Sequence, residues 1–519
     1  MSVLLLAIPT ILVGFLSYYL WIWTYWKRRG IPGPMGYPMF GVFMKMLNSE
    51  SPPYLQIKKW TQKYGGTYGY TEGTLKTLVI SDPDLVQEVF VKQYDNFYGR
   101  KSNPIQGNPD KEKRTNLFSA QGFRWKRLRS ISSPTFSNNS LRKINNTVEE
   151  CSMELLRHID EQTADGKQID MLQFYQEFTM DVIGRIAMGQ TDTQMFKNPL
   201  LKHVKAIFGD NRKHIFLIGG IFPNFAQIFR FFMLRLPFLG ASNFIHITNT
   251  MISAVKNRIK QREDDEKNGI DLAEPQDFID LFLDAKAGDV EHFLEENGDF
   301  TKSSSYSNRQ LTTEEIIGNL SIFLIAGFDT TALSLSYTTF LLATHPEKMR
   351  KVQEEIDREC SEASISFDNI QKLKYLDCVI KETLRMYPLG TLANSRKCLR
   401  PTKLGNLDIE VGTMIQADTW TLHSDPKIWG DDVGEFKPER WESTSGDQML
   451  QKGGYIPFGL GPRQCIGMRL AYMEEKMLLA HILRKYSFET GQKTQIPLKL
   501  VGRATTQPES VWMHAKLRE

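Results

Sequence analysis

Pro457-Phe-Gly-Leu-Gly-Pro-Arg-Gln-Cys-Ile-Gly467 lies near the carboxyl end of a chain of 519 residues. Its glycines and prolines interrupt helix and strand alike, so it reads as a loop. An apolar helical run, Met468 to Leu483, follows directly. A lone cysteine is usually a small buried hydrophobe. Cys465 stands instead where a loop hands over to a helix, and the backbone N–H groups of a helix start favour thiolate over thiol. Arg463 adds positive charge beside it. A thiolate so placed is a nucleophile or a metal ligand. The nucleophile needs a histidine base. The nearest histidine, His481, is over four turns away along the helix at 3.6 residues per turn, so no base is supplied locally.

Three stretches further upstream carry charges where apolar residues would be the simpler choice. Thr312-x-x-Glu315 has capping-box spacing, and a helical pattern then runs to Thr344, closed by His345-Pro346. That predicts about 32 residues and ~48 Å of helix. In its middle stands Ala326-Gly-Phe-Asp-Thr-Thr331. Gly327 and two threonines are poor helix formers, and Asp329 is costly to bury without a partner. The segment is either a functional site or a helix kink with a solvated acid. Glu382-Thr-Leu-Arg385 places opposite charges at i, i+3; alone it predicts a surface pair worth little. Trp125-Lys-Arg-Leu-Arg129 puts Trp125 and Arg129 on one helix face, which by itself is an amphipathic helix with a basic outer side.

The amino end has no charged side chain from Met1 to Trp26. A bilayer core of about 30 Å needs roughly 20 apolar helical residues, so residues 1–26 are read as an uncleaved transmembrane signal anchor. Aromatic residues from Tyr18 to Trp26 suit an interface belt, and Lys27, Arg28 and Arg29 hold the body on the cytosolic side. Residues 27–49 form a basic and proline-rich hinge, and 50–519 the catalytic domain. No second stretch long and apolar enough to span a membrane is evident. The body reads as mainly α-helical with small β-sheets. Residues 67–81 predict a hairpin about Glu72-Gly73, and Asp82-Pro83 opens a helix toward Val91. Short strand-like pieces return at 398–416. Phenylalanines between 201 and 250, among them Phe222, Phe225, Phe229, Phe231, Phe232 and Phe238, form either buried helix faces or a surface that dips into the bilayer or roofs an apolar cavity. Residues 286–310 are polar and serine-rich, as in an exposed loop.

Composition excludes several classes. With 41% hydrophobic and 24% charged residues the chain is neither disordered nor collagenous nor a polytopic membrane protein. A formal charge of only +4 argues against nucleic acid as the partner. The five cysteines lie far apart, so a disulfide framework, a zinc ribbon and an iron–sulfur cluster are excluded.

Phe458-x-x-Gly461-x-Arg463-x-Cys465-x-Gly467 resembles the haem-binding loop of the cytochrome P450 family, a match expected by chance on the order of once in ten thousand such chains. The resemblance extends along the whole chain. It covers the anchor, the proline segment, Trp125 with Arg129, the acid–threonine helix, Glu382 with Arg385, Arg440 within Phe436-Lys-Pro-Glu-Arg-Trp441, and the cysteine loop. The string 125–136 is most similar to the microsomal clan that includes the vertebrate family-three drug and steroid oxidases, nearest to its nematode members. Those vertebrate relatives carry glutamate where Asp329 stands here.

The resemblance implies the P450 fold, in which a helical domain with a long central helix over the haem adjoins a smaller β-rich region. It implies haem b as cofactor, with Cys465 as axial ligand of the iron. Arg100, Trp125, Arg129, Arg396, Phe458 and Arg463 would surround the haem. Glu382, Arg385 and Arg440 would form a structural network, and Ile322, Ile325 and Ala326 would line the substrate pocket. Asp329 and Thr330 would supply protons to dioxygen. The implied activity is insertion of one oxygen atom of O2 into a small apolar substrate at the endoplasmic reticulum membrane. Gly459-x-Gly461 lacks the third glycine of a dinucleotide fingerprint, so no bound flavin or nicotinamide is expected. Electrons would come from NADPH through cytochrome P450 reductase, with cytochrome b5 as a further donor. Arg124, Lys126, Arg127 and Lys452 are candidates for the docking face. Two alternatives compete: a haem-thiolate isomerase or dehydratase that needs no reductase, and a haem-binding protein without catalysis.

Overall fold

The helix predicted from Thr312 organises the molecule. In the computed structural model, which describes residues 2–46, 52–209, 213–236, 242–270, 277–284, 311–442 and 452–518, it runs as one element from Thr313 to Thr344. Thr312 Oγ1 accepts the Glu315 N–H at 3.2 Å while Glu315 Oε2 accepts the Thr312 N–H at 3.1 Å, so the capping box is closed both ways. In chain order the elements needed below are α1 (Ser2–Trp23), α2 (Gly122–Ser132), α3 (Met171–Met188), α4 (Leu201–Gly209), α5 (Lys213–Ile221), α6 (Ala226–Arg235), α7 (Thr313–Thr344), α8 (Lys374–Met386) and α9 (Met468–Lys485). By length and mean hydropathy α7 would suit a membrane span, which corrects the expectation that no second such stretch exists. Its apolar character has another cause: it is mostly buried inside the protein. Helix α3 packs along it, with Thr179 Oγ1 donating to Phe328 O at 2.7 Å and the Tyr175 hydroxyl 2.6 Å from Thr339 Oγ1.

The sheets are small. Strands β1 (Thr67–Glu72) and β2 (Leu75–Ile80) form the predicted hairpin, Thr67 opposite Ile80 and Glu72 opposite Leu75. Strand β3 (Ile169–Asp170) comes later, followed by β4 (Ser395–Lys397), β5 (Thr402–Leu404), β6 (Leu407–Ile409), β7 (Met414–Ala417), β8 (Tyr486–Glu489) and β9 (Trp512–Leu517). The sheet orders are β1-β2-β7-β4, β3-β9-β8 and β5-β6. Asp82 accepts the N–H groups of Asp84 and Leu85 with Pro83 at the first helical position, and the helix closes in a π-helical turn over Glu88–Lys92. That turn presents Phe90 O to Gly461, where an added Cβ would lie 2.1 Å from it. Only glycine fits at this contact, and its φ of +72° is one that glycine adopts without strain.

The free edge of β1 is covered by the segment expected to act as a hinge. Gly69 N–H donates to Pro32 O at 2.9 Å, and the Trp26 indole donates to Tyr70 O at 2.9 Å. The Trp26 ring lies where a Cβ on Gly69 would sit, 2.2 Å away. A covered edge cannot template pairing with another chain. Helix α1 projects from this junction, with Ile8, Ile11, Leu12 and Val13 all exposed. At its carboxyl end the Tyr19 hydroxyl donates to Ile221 O, which ties it to α5.

The aromatic segment that the sequence left open is resolved by exposure. Phe225, Phe229, Phe231 and Phe232 on or beside α6 are exposed, together with Ile228 and Leu234. They are a surface and not a core. Phe238 and the predicted loop 286–310 lie outside the described residues.

Candidate functional site

The loop before α9 is built by its glycines. Gly459 (φ +78°) and Gly461 (φ +72°) turn the chain so that Cys465 N–H donates to Phe458 O at 2.8 Å. The sulfur sits at the amino end of α9, where the N–H groups of Gly467 and Met468 aim at it. Cys465 is the one exposed cysteine; Cys151, Cys360, Cys378 and Cys398 are buried. Burial among the surrounding groups nonetheless raises its thiol pKa above the ordinary value. Gly467, Met468, Arg129 and Arg100 oppose that rise without overcoming it. The expectation of a ready thiolate is therefore corrected. Desolvation outweighs the helix start, and a metal cation bonded to the sulfur is what would remove its proton.

Four arginines converge on the same loop. Arg396 donates to Leu460 O at 3.1 Å, Arg100 to Arg463 O at 3.2 Å, and Arg129 to Gln464 O at 2.9 Å. Arg463 donates to Phe118 O and Ala120 O and lies 4.7 Å from the centre of the Trp125 ring. Among the described residues none of the four has a carboxylate within ion-pair distance, and Nε of Arg100, Arg396 and Arg463 is buried without a partner. Burial and the neighbouring guanidinium groups push Arg100 down to about 9 and Arg463, also through burial, down to about 10; burial and the Arg100 and Arg463 charges also lower Arg396 well below its ordinary value. Buried cations without counter-ions are costly. Carboxylates of a bound group would relieve that cost, and a guanidinium binds both oxygens of a carboxylate at once. The donor set thus fits a haem, a tetrapyrrole bearing carboxylates around an iron that a thiolate can ligate. The Phe458 ring packs 5.5 Å from Tyr472 and backs the loop.

The opposite wall comes from α7. The helix is buried through most of its length, yet Ala326 is exposed, and Ile322, Ile325 and Thr330 are half-buried. Ile322, Ala326 and Thr330 are spaced by four, so they form one open strip on a core helix. Phe136 links the two walls: its ring is 5.5 Å from Phe323, and a Cβ on Gly467 would be 3.9 Å from it. Thr330 Oγ1 donates back to Ala326 O at 2.7 Å. Asp329 is 1% exposed and faces the protein interior, which removes the reading of a solvated acid. One carboxylate oxygen accepts from Thr505 Oγ1 at 2.6 Å, and the other is buried without a partner. Burial pushes Asp329 up to about 6, opposed by Thr505, Gln176 and the Lys205 charge. Gly327 is explained by packing, because a Cβ there would be 3.3 Å from the Ile183 side chain on α3.

The supporting network matches its expected membership. Glu382, fully buried, takes Arg385 through both oxygens at 2.9 and 2.8 Å and Arg440 Nε at 2.8 Å. Trp441 Nε1 adds a bond at 2.9 Å. The basic docking face needs correction. Arg127 is buried and pairs with Glu315, and Arg124 Nε lies 3.1 Å from the same carboxylate. Both arginines tie α2 to the start of α7, and neither presents its charge to a partner. Sequence reasoning missed Thr505, Gln176 and Lys205, which sit far from Asp329 along the chain and carry no local signal.

Comparison with known proteins agrees with this arrangement. A family model described as Cytochrome P450 matches residues 31–513. Two Caenorhabditis elegans proteins, CYP13A10 and CYP13A1, both provisionally named as cytochrome P450s, are 76% identical over 518 residues and 67% identical over 509 residues. These alignments cover 100% and 98% of each chain, respectively. CYP13A5 of the same organism is 56% identical over 517 residues, covering 99% of this chain and 98% of its own.

Proposed function

The chain belongs to the cytochrome P450 family, and from that premise we propose that it is a monooxygenase of the endoplasmic reticulum membrane. It inserts one atom of O2 into an apolar organic molecule with electrons from NADPH, delivered by a partner reductase or by cytochrome b5. The observation that carries this reading is the convergence on the cysteine loop of four arginines that, among the described residues, have no carboxylate partner. When bound there, haem supplies dioxygen binding and O–O cleavage, which a thiolate ligand promotes.

The protein does the rest. Arg100, Arg129, Arg396 and Arg463 would hold the carboxylates of the haem, and Arg100, Arg129 and Arg396 fix the loop through its carbonyls. Ile322 and Ala326 offer an apolar wall to the substrate and limit water. Thr330 Oγ1 holds a proton at the open strip, and Asp329, turned to the interior one residue before it and raised to about 6, is the acid behind that strip. The exposed faces of α1 and α6 support anchoring on the membrane, with Lys27, Arg28 and Arg29 keeping the body cytosolic.

Reconstitution with NADPH–cytochrome P450 reductase and a panel of steroids, fatty acids and foreign aromatics tests the reading. Product is expected only with both NADPH and reductase. Conversion of an organic peroxide without reductase would move the protein to the isomerase class. Thr330→Ala is expected to keep consuming NADPH while product per NADPH falls about ten-fold or more, as loss of a positioned proton donor does.

Asp329 gives a stability prediction with a definite sign. Its pKa rises from 3.8 unfolded to about 6 folded, so the folded state binds the proton more tightly. Stability is full below pH 3.8, falls as pH rises to about 6, and is then lower by about 3 kcal/mol. Asp329→Asn removes that loss. The variant is expected to melt higher than wild type at pH 7.5 and near it at pH 4, while its turnover drops. Equal melting temperatures at both pH values would show that Asp329 is not perturbed.

A further inference from the structure

The junction of anchor and body encloses a hollow of about 390 Å³, lined among others by Trp23, Trp26, Lys27, Gly33, Met35 and Tyr70. It lies where α1 ends and strand β1 begins, away from the cysteine loop. Its walls are fixed. The Trp23 indole donates to Met35 O at 2.8 Å, the Trp26 indole is spent on Tyr70 O, and Pro32 O is spent on Gly69. Three donors of the wall are unspent: among the described residues the Gly33 and Met35 amides donate to no protein acceptor, and the Lys27 ammonium has no ion-pair partner. Arg29 differs, because Glu410 neutralises it at 2.7 Å. Arg28 beside it stacks its guanidinium on Trp21, 3.4 Å from the ring centre. The hollow therefore offers N–H groups and net positive charge inside an aromatic collar, with no acid in its lining. Backbone amides grouped with a cation bind anions, phosphate oxygens above all.

We propose that this hollow binds the phosphodiester headgroup of an anionic phospholipid from the leaflet in which α1 ends. The inference rests on reading α1 as a membrane anchor. It follows from position as well as charge. An apolar helix of 22 residues, exposed at Ile8, Ile11, Leu12 and Val13, would deliver its last turn to the headgroup level, and Trp23 of that turn lines the hollow. Trp23 and Trp26 have the amphipathic rings that settle at that depth. Occupancy would lock the angle between anchor and body, because the lipid would touch α1, the proline segment and β1 together.

The test uses the full chain purified in detergent and observed by native mass spectrometry while phosphatidylserine, phosphatidylcholine or inorganic phosphate is added. Wild type is expected to retain one phosphatidylserine. Lys27→Ala should weaken that binding about five-fold, the effect of one basic residue near an anionic lipid. Lys516→Ala, on the exposed end of β9, should leave it unchanged. Phosphatidylserine binding unaltered by Lys27→Ala overturns the proposal, as does equal affinity for phosphatidylcholine. Inorganic phosphate that displaces the lipid at similar affinity would also overturn it, since the site would then be a free-anion site. Carbonate extraction of membranes separates this outcome from the anchor reading. Wild type released by carbonate would refute the anchor, whereas protein retained in the membrane with no bound lipid would refute the hollow alone.

Discussion

Replacing Cys465 with alanine is expected to abolish the strongly red-shifted Soret band of the reduced protein under carbon monoxide, and all reductase-driven turnover with it. The thiol stands at the start of α9, with the N–H groups of Gly467 and Met468 directed at the sulfur. Alanine removes the ligand and leaves those donors facing a methyl group. The four other cysteines are buried elsewhere, so Cys378→Ala should keep the band and serves as the control. Haem should still enter the Cys465→Ala protein, because the arginines proposed to bind its carboxylates are untouched. Its spectrum would then be that of an iron without thiolate. A persisting red-shifted band in Cys465→Ala would sink the assignment of the ligand and the proposed oxygen chemistry together.

The second large effect belongs to a residue that touches no substrate. Glu382→Ala is expected to destabilise the fold by roughly 3–5 kcal/mol, the penalty for stranding buried charge. Arg385 is 2% exposed, and among the described residues its two bonds to Glu382 are its only carboxylate contacts; Arg440 and the Trp441 indole lose a partner in the same step. Typical domains hold about 5–15 kcal/mol in total, so little folded protein should accumulate. Glu382→Gln keeps the shape and loses the charge, and should fall between. The contrast is Arg157, half-exposed and paired with Glu154 and Glu161 on one helix face. Arg157→Ala should cost less than about 1 kcal/mol. Urea titration followed by tryptophan fluorescence measures all three. A small loss for Glu382→Ala would mean that the network is dispensable for stability.

Much of this was legible because it is written locally. The capping box before α7, the Asp82-Pro83 helix start and the hairpin about Gly73 each depend on residues within a few positions, and all three formed. Periodicity places Ile322, Ala326 and Thr330 on one face whatever surrounds the helix. What it cannot say is which face is buried. Asp329 and Thr330 are neighbours in sequence, but about 100° of helical rotation sends one to the core and the other to the open strip. Arg124 and Arg127 looked like surface charge because their partner, Glu315, is nearly two hundred residues away.

The sequence by itself determined the cysteine loop, the long helix and the apolar amino-terminal helix, since each is specified by spacing and side-chain chemistry along a short length of chain. The tertiary structure alone decided three further matters. Among the described residues it left four arginines without an acid around one loop, it raised the Cys465 thiol and the Asp329 carboxyl by burial, and it closed the end of α1 and the segment after it against β1 to form the hollow at their junction. The physical reason is common to all three. Desolvation and Coulomb interaction depend on which distant groups fold to within a few ångströms, and that distance is set by packing and not by sequence separation.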